Sequence, residues 1–94
     1  MTNKQPQVLV FDSGVGGLSI VQALRELIPH LALLYAADTA GFPYGVWTEQ
    51  ALIARVGEIL PPLMHRYQPD LFVVSCNTAS TVVLPTLRRL FKVP

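Results

Sequence analysis

Short unbroken apolar runs alternate along the chain with longer stretches whose apolar side chains recur at helical spacing. Residues 8–11 are continuous, β-branched in part and followed by a turn, the pattern of a buried strand. Gly16 and Gly17 open a helix in which Leu18, Val21, Leu24 and Leu27 recur every third residue, and Pro29 stops it. Residues 31–36 form a second short apolar run. A loop over residues 38–45 follows, rich in small and turn-forming residues. Thr48 is an N-cap candidate for a long helix. Its apolar face carries Leu52, Val56, Ile59, Leu60, Leu63, Met64 and Tyr67. Pro61 and Pro62 fall inside that helix and predict a kink or break near residues 59–60, since proline removes a helical N–H and crowds the preceding turn. Pro69 and Asp70 lead into a third strand over residues 71–75. Residues 76–80 turn into another helix, and Pro85 suits the first turn of a last short one reaching about Phe91.

The order is β-α-β-α-β-α with apolar strands. Such strands belong in a parallel sheet with right-handed crossovers and helices on both faces. The expected fold is therefore α/β, a three-layer αβα arrangement of the flavodoxin-like kind cut to about three strands. Ligands of such sheets bind beyond the carboxyl ends of the strands. The three distinctive segments, 12–17, 38–45 and 75–80, each follow a strand, so they should converge on one rim.

Composition narrows the class. Ninety-four residues make one small domain and not two. The chain is 51% hydrophobic and 14% charged, more apolar surface than so short a chain can hide by itself. Part of it should be covered by further chain or a partner. The net charge is +1. Arg88, Arg89 and Lys92 are the one basic cluster, better read as a solvated helix end than as a phosphate-binding patch, so nucleic acid is not an expected partner. No apolar run is long enough for a signal-peptide core or a membrane span. A lone cysteine forms no internal disulfide, which favours a reducing cytoplasm. His30 and His65 are isolated and should face solvent; no Cys/His spacing suggests a metal. Trp47 is expected beneath the turn.

Residues 12–17 read Asp-Ser-Gly-Val-Gly-Gly. Glycines allow a sharp turn and close approach to a ligand, and the following helix start offers N–H groups to an anion. A tight strand-to-helix turn explains the glycines alone, but not the carboxylate and hydroxyl of Asp12 and Ser13 at a strand tip. A dinucleotide site would place Asp38 as the ribose-binding acid, yet the fingerprint starting at Gly14 needs glycine at 19 and finds Ser19. Residues 75–80 read Ser-Cys-Asn-Thr-Ala-Ser. An isolated cysteine is usually inert core, but Cys76 is flanked by polar residues at an expected helix N-terminus, where a thiolate is favoured and proton transfer becomes feasible. Asn77 and Thr78 are placed to orient a carboxylate; helix capping by Thr78 or Ser80 is compatible with this. Residues 42–45, Phe-Pro-Tyr-Gly, read alone as a proline turn that could also present Tyr44 and backbone amides to a small polar ligand.

Together, FDSGVGGLS after the first strand, PYG in the second loop and SCNTAS after the third resemble the glutamate racemases of the aspartate/glutamate racemase superfamily. The resemblance runs from about Val8 to Pro94 and matches that family's N-terminal domain. It implies an isomerase that needs no pyridoxal, other cofactor or metal. Such an enzyme interconverts L- and D-glutamate, and the D form serves peptidoglycan synthesis, hence cell-wall biogenesis and cell shape. It implies two thiols on opposite faces of the substrate α-carbon, with Cys76 as one. Asp12 matches a carboxylate that assists the thiol or holds the substrate ammonium. Ser13, Tyr44, Gly45, Asn77 and Thr78 match substrate-binding positions. Gly41 and Phe42, just before PYG, are less typical of the family. Residues 1–94 would then be a single, incomplete N-terminal α/β domain. Its expected partners are glutamate, a missing C-terminal domain carrying the second thiol in a Cys-Thr-His segment, and a second copy in a homodimer. The chain alone is not expected to racemise, because one thiol serves one face. The competing readings are a single-cysteine decarboxylase-like enzyme, a non-catalytic module binding a small dicarboxylate, and, last, a dinucleotide-binding fold.

Overall fold

A computed structural model describes residues 6–14 and 16–94, without the side chains of Asn77 and Ala79. Three strands, β1 (Gln7–Asp12), β2 (Ala32–Ala37) and β3 (Leu71–Val74), form a parallel sheet in the order β2-β1-β3. The helices are α1 (Leu18–Leu27), α2 (Glu49–Tyr67), α3 (Asn77–Val82) and α4 (Leu84–Leu90), with short 3-10 turns at Thr39–Gly41 and Tyr44–Val46. The first strand in the sequence lies at the centre, so the connection from β2 to β3 crosses back over β1. The α/β class and the parallel sheet expected from the apolar runs are both present.

Register fixes the rim. Asp12 lies opposite Ala37, and Phe11 opposite Val74, so the three strands end together. Pairing continues one step beyond the strands: Asp38 N–H donates to the Asp12 carbonyl at 2.8 Å, and Ser75 N–H to the Phe11 carbonyl at 2.9 Å. The three loops that follow are thereby delivered to one edge.

Strand alternation divides the packing into two sides. Phe11, with neighbours Ala36 and Val74, faces the core formed with Leu52, Val56 and Leu60 of α2, Val83, and Leu87 of α4. Asp12 and Tyr35 face the other way, towards the start of α1, where Gly17 lies against both. That side is thinly covered. No residue of α1 is buried, and Leu18, Ile20 and Leu27 are 52%, 41% and 79% exposed. The surplus of apolar surface expected from composition is thus visible on α1.

The start of α2 matches its sequence signals. Thr48 Oγ1 accepts from Ala51 N–H at 3.1 Å, the capping expected of it. Gln68 closes the helix in the left-handed conformation (φ 46°), with Pro69 after it. The helix departs from expectation in the middle: Pro61 and Pro62 do not break it, and it runs on to Tyr67. The two carbonyls that lose their partners belong to Gly57 and Glu58, half-buried and exposed respectively, where water can reach them. Meanwhile Leu52, Val56, Leu60 and Met64 anchor the opposite side in the core. Burial of that face outweighs two lost hydrogen bonds whose acceptors remain solvated. The C-terminal helices differ by little: a turn at fully buried Val83 separates α3 from α4, and Pro85 sits in the first turn of α4.

Candidate functional site

Cys76 lies immediately before α3, its residue 9% exposed. Its Sγ is 3.3 Å from Ser13 Oγ, a contact in which either atom can donate. The side chain also belongs to the edge of the core containing Phe11, Tyr44 and Val83. The sulfur is therefore sheltered among apolar groups but has a hydroxyl in contact, and that hydroxyl belongs to the residue next to Asp12. Because β1 and β3 are neighbours, the 63-residue separation between Ser13 and Cys76 collapses to hydrogen-bond distance.

Asp12 is 5% exposed; Oδ1 accepts from its neighbour Ser13 N–H at 2.7 Å and Oδ2 from Gly17 N–H at 2.5 Å. The carboxylate folds the loop around itself and caps the approach to α1. Among the described residues no cationic side chain is bonded to it. Gly17 is needed for space: a Cβ there would stand 2.6 Å from Ser75 Oγ and 2.8 Å from the Tyr35 ring. No described glycine has positive φ, so the glycines of this loop serve close approach rather than an unusual backbone. Tyr35 ties the loop from outside, its hydroxyl donating to the Gly14 carbonyl at 2.9 Å. Burial, with the Asp12 charge adding to it, raises that phenol above the ordinary tyrosine range.

The third loop is organised around Asp38. Its carboxylate accepts from Tyr44 Oη at 2.6 Å, from Arg55 Nε at 2.5 Å and Nη2 at 2.6 Å, and from Gly41 N–H at 3.3 Å. The hydrogen bonds from Arg55 hold Asp38 below the usual carboxylate range, against burial, and Tyr44 adds to this. Tyr44 is 1% exposed; burial first and then Asp38 push its phenol well above the ordinary range. Trp47 closes the cluster: its Nε1 donates to the Gly41 carbonyl at 2.8 Å, and the Arg55 guanidinium lies 5.1 Å from its ring centre. This is the position beneath the turn that the sequence suggested. The Phe42–Pro43 peptide is cis.

Of the residues singled out from sequence, Asp12, Ser13 and Cys76 therefore form one contact chain, and Tyr44 packs in the same core cluster as Cys76. Tyr44 points inward, with its hydroxyl engaged by Asp38. Gly45 is exposed on the turn above it, with nothing within 4 Å of where a Cβ would lie. Thr78 is half-buried in α3; the side chain of Asn77 lies outside the described residues. Asp38, weighed as a ribose-binding acid, is bound instead by an arginine and a phenol. His30 and His65 are exposed, as expected. Among the described residues no group of three or more His, Cys, Asp or Glu side chains could hold a metal ion, and no helix is long and apolar enough to cross a membrane. The sequence reading missed Arg55 and Tyr35. Arg55 carried a faint signal, a cation one position before Val56 on the apolar stripe of α2. Tyr35 was the one polar tip in an apolar strand.

No family model matches the chain. It is 54% identical over 87 residues to the glutamate racemase of Aliivibrio salmonicida, covering 93% of this chain and 33% of that protein. It is 50% identical over 93 residues to the glutamate racemase of Klebsiella pneumoniae, again 33% of that protein. The chain thus spans about a third of the length of the curated relatives it matches. Among solved structures, Escherichia coli glutamate racemase in complex with L-glutamate and the activator UDP-MurNAc-ala superposes with a TM-score of 0.90 at 50% identity. That match covers 97% of this chain and 34% of the other. Glutamate racemase from Aquifex pyrophilus gives 0.83 at 35% identity.

Proposed function

We propose that this chain, which matches about a third of the length of the glutamate racemases it resembles, forms the N-terminal domain of such an enzyme and supplies one of its two thiols. The observation that carries the proposal is the Cys76–Ser13 contact beside Asp12, at the carboxyl ends of adjacent parallel strands. In one direction the Cys76 thiolate takes the α-hydrogen of glutamate as a proton, and the C–H electron pair remains on Cα, delocalised into its carboxylate. A second thiol, in the remaining two-thirds of the enzyme, delivers a proton to the opposite face. In the other direction the roles exchange. An acid and a base on opposite faces are the minimum for inverting a stereocentre by proton transfer.

Asp12 is the group that holds the substrate ammonium or assists the thiol. Each of its oxygens accepts one backbone N–H and keeps further lone-pair capacity. Ser13 fixes the Sγ rotamer and, with Thr78, Asn77 and the turn bearing Tyr44 and Gly45, contacts the substrate carboxylates. The reaction on this reading uses no cofactor or metal, takes place in the cytoplasm and supplies D-glutamate for peptidoglycan. Residues 1–94 alone do not racemise.

A graft tests this. Residues 1–94 replace the matching third of the Klebsiella pneumoniae racemase, and circular dichroism follows conversion of L- to D-glutamate while NMR in D2O follows α-hydrogen exchange. Both reactions are expected in the graft. Racemisation should be lost in its Cys76→Ser variant, where the second thiol is left to exchange the α-hydrogen of at most one enantiomer, and should not occur with the 94-residue chain alone. Unchanged racemisation in Cys76→Ser, or sustained inversion by the isolated chain, refutes the proposal.

A further inference from the structure

Arg55 stands outside every motif that carries the resemblance, yet it is the hub of the loop after β2. Its fork takes both oxygens of Asp38, a carboxylate whose side chain is 5% exposed while that of Arg55 is 27% exposed. The same Asp38 oxygen that receives Nε receives the Tyr44 hydroxyl, so the phenol is committed to the loop's interior. Gly41 is pressed into the cluster: a Cβ there would lie 2.6 Å from Arg55 Nε and 2.7 Å from Asp38 Oδ2. Trp47 links the far end of the turn back to the Gly41 carbonyl and lies under the guanidinium. Residues 38, 41, 44 and 47 are thus gathered onto one side chain that reaches them from α2. A planar fork with fixed donors suits such a task, and an ammonium does not reproduce it.

We propose that Arg55 is a positioning residue: acting through Asp38 and Tyr44, it holds the Phe42–Gly45 turn in the shape that receives substrate, and so governs substrate affinity without touching the reacting atoms. The inference rests on the racemase reading for the word substrate, and on the geometry alone for the order of the turn. Its consequence is a split in the kinetics. Distortion of a binding turn lowers affinity, whereas Cys76, on a different loop, keeps its own chemistry.

Two measurements separate the two parts. In the 94-residue chain, Arg55→Ala should raise amide exchange of Gly41, Phe42 and Trp47 about tenfold, local opening that leaves the β1 amides protected. If Arg55→Ala unfolds the chain, Arg55→Lys is read in its place, since it keeps the charge and loses the fork. In the graft, Arg55→Ala should raise KM for glutamate about tenfold with kcat changed less than about threefold, the pattern of lost binding rather than lost chemistry. Added guanidinium ion should recover part of the loss, which a general packing defect would not allow, and Arg55→Lys should fall between parent and Ala. Unchanged exchange at residues 41–47 overturns the inference. Loosened exchange with an unaltered KM, or a fall in kcat alone, overturns its substrate part. A parent graft without activity refutes the racemase reading instead, and the ordering role then stands or falls on exchange.

Discussion

Two aspartates end neighbouring strands and have opposite surroundings. Asp12, at the tip of β1, accepts backbone N–H groups and, among the described residues, has no cationic side chain bonded to it; Asp38, one residue beyond β2, is met by a guanidinium, a phenol and one N–H. Both are nearly buried, at 5% and 9% exposure. A buried carboxylate satisfied by a cation is a structural fixture, whereas one held by neutral dipoles keeps its charge available to an incoming cation. The contrast sets Asp38 to shaping a loop and, on the proposed reading, leaves Asp12 to assist the thiol or meet the substrate ammonium. Strand-tip position alone does not separate the two acids; their partners do.

Charge removal should separate the two acids most. In the graft, Asp12→Asn should cost about 10²-fold or more in kcat, the scale of a lost participant in proton transfer, while Asp38→Asn should act mainly on KM. Equal effects on kcat would erase the distinction. Next comes space. Gly17→Ala and Gly41→Ala each force a Cβ within 2.6 Å of a neighbour, one in each aspartate's loop. Each should lose about 1–3 kcal/mol in urea unfolding, the cost of overpacking.

Acid titration sharpens the contrast further. Asp38 is held below its unfolded value of about 3.9, so the native state gains from its ionisation above that pH and loses the gain as pH falls through the depressed native value. Stability followed by urea midpoint should fall below about pH 4, and Asp38→Asn should flatten that limb. The smallest effect has the opposite sign. Gly57→Ala, in α2 with open space at its Cβ, should stabilise by up to about 1 kcal/mol through helix propensity. A loss there would mean that the carbonyls freed by Pro61 and Pro62 need glycine's freedom.

The strands, their order along the chain and the convergence of three loops were legible because apolar runs and turn residues report burial and chain reversal directly. Ser13 and Cys76 were legible as polar interruptions at strand tips. Arg55 was not, because a lone arginine beside an apolar stripe looks the same whether it snorkels to water or forks onto a buried acid; only the packing of α2 on the loop decides. The inward turn of Tyr44 was hidden for the same reason, since the partner that captures its hydroxyl is six residues away through a folded turn. Pro61 and Pro62 misled because local propensity says nothing about which side of a helix the orphaned carbonyls face.

The hydrogen bonds that carry the sheet ladder past Asp12 and Phe11 have a mechanical meaning. Asp38 is strapped to Asp12, and Ser75 to Phe11, so the roots of all three loops move as one plank. A ligand arriving at this rim has no purchase for prying the two acids apart or for drawing the root of the thiol's loop towards them. Whatever travel a working cycle demands falls to the outer parts of the turns and to whatever surface faces them.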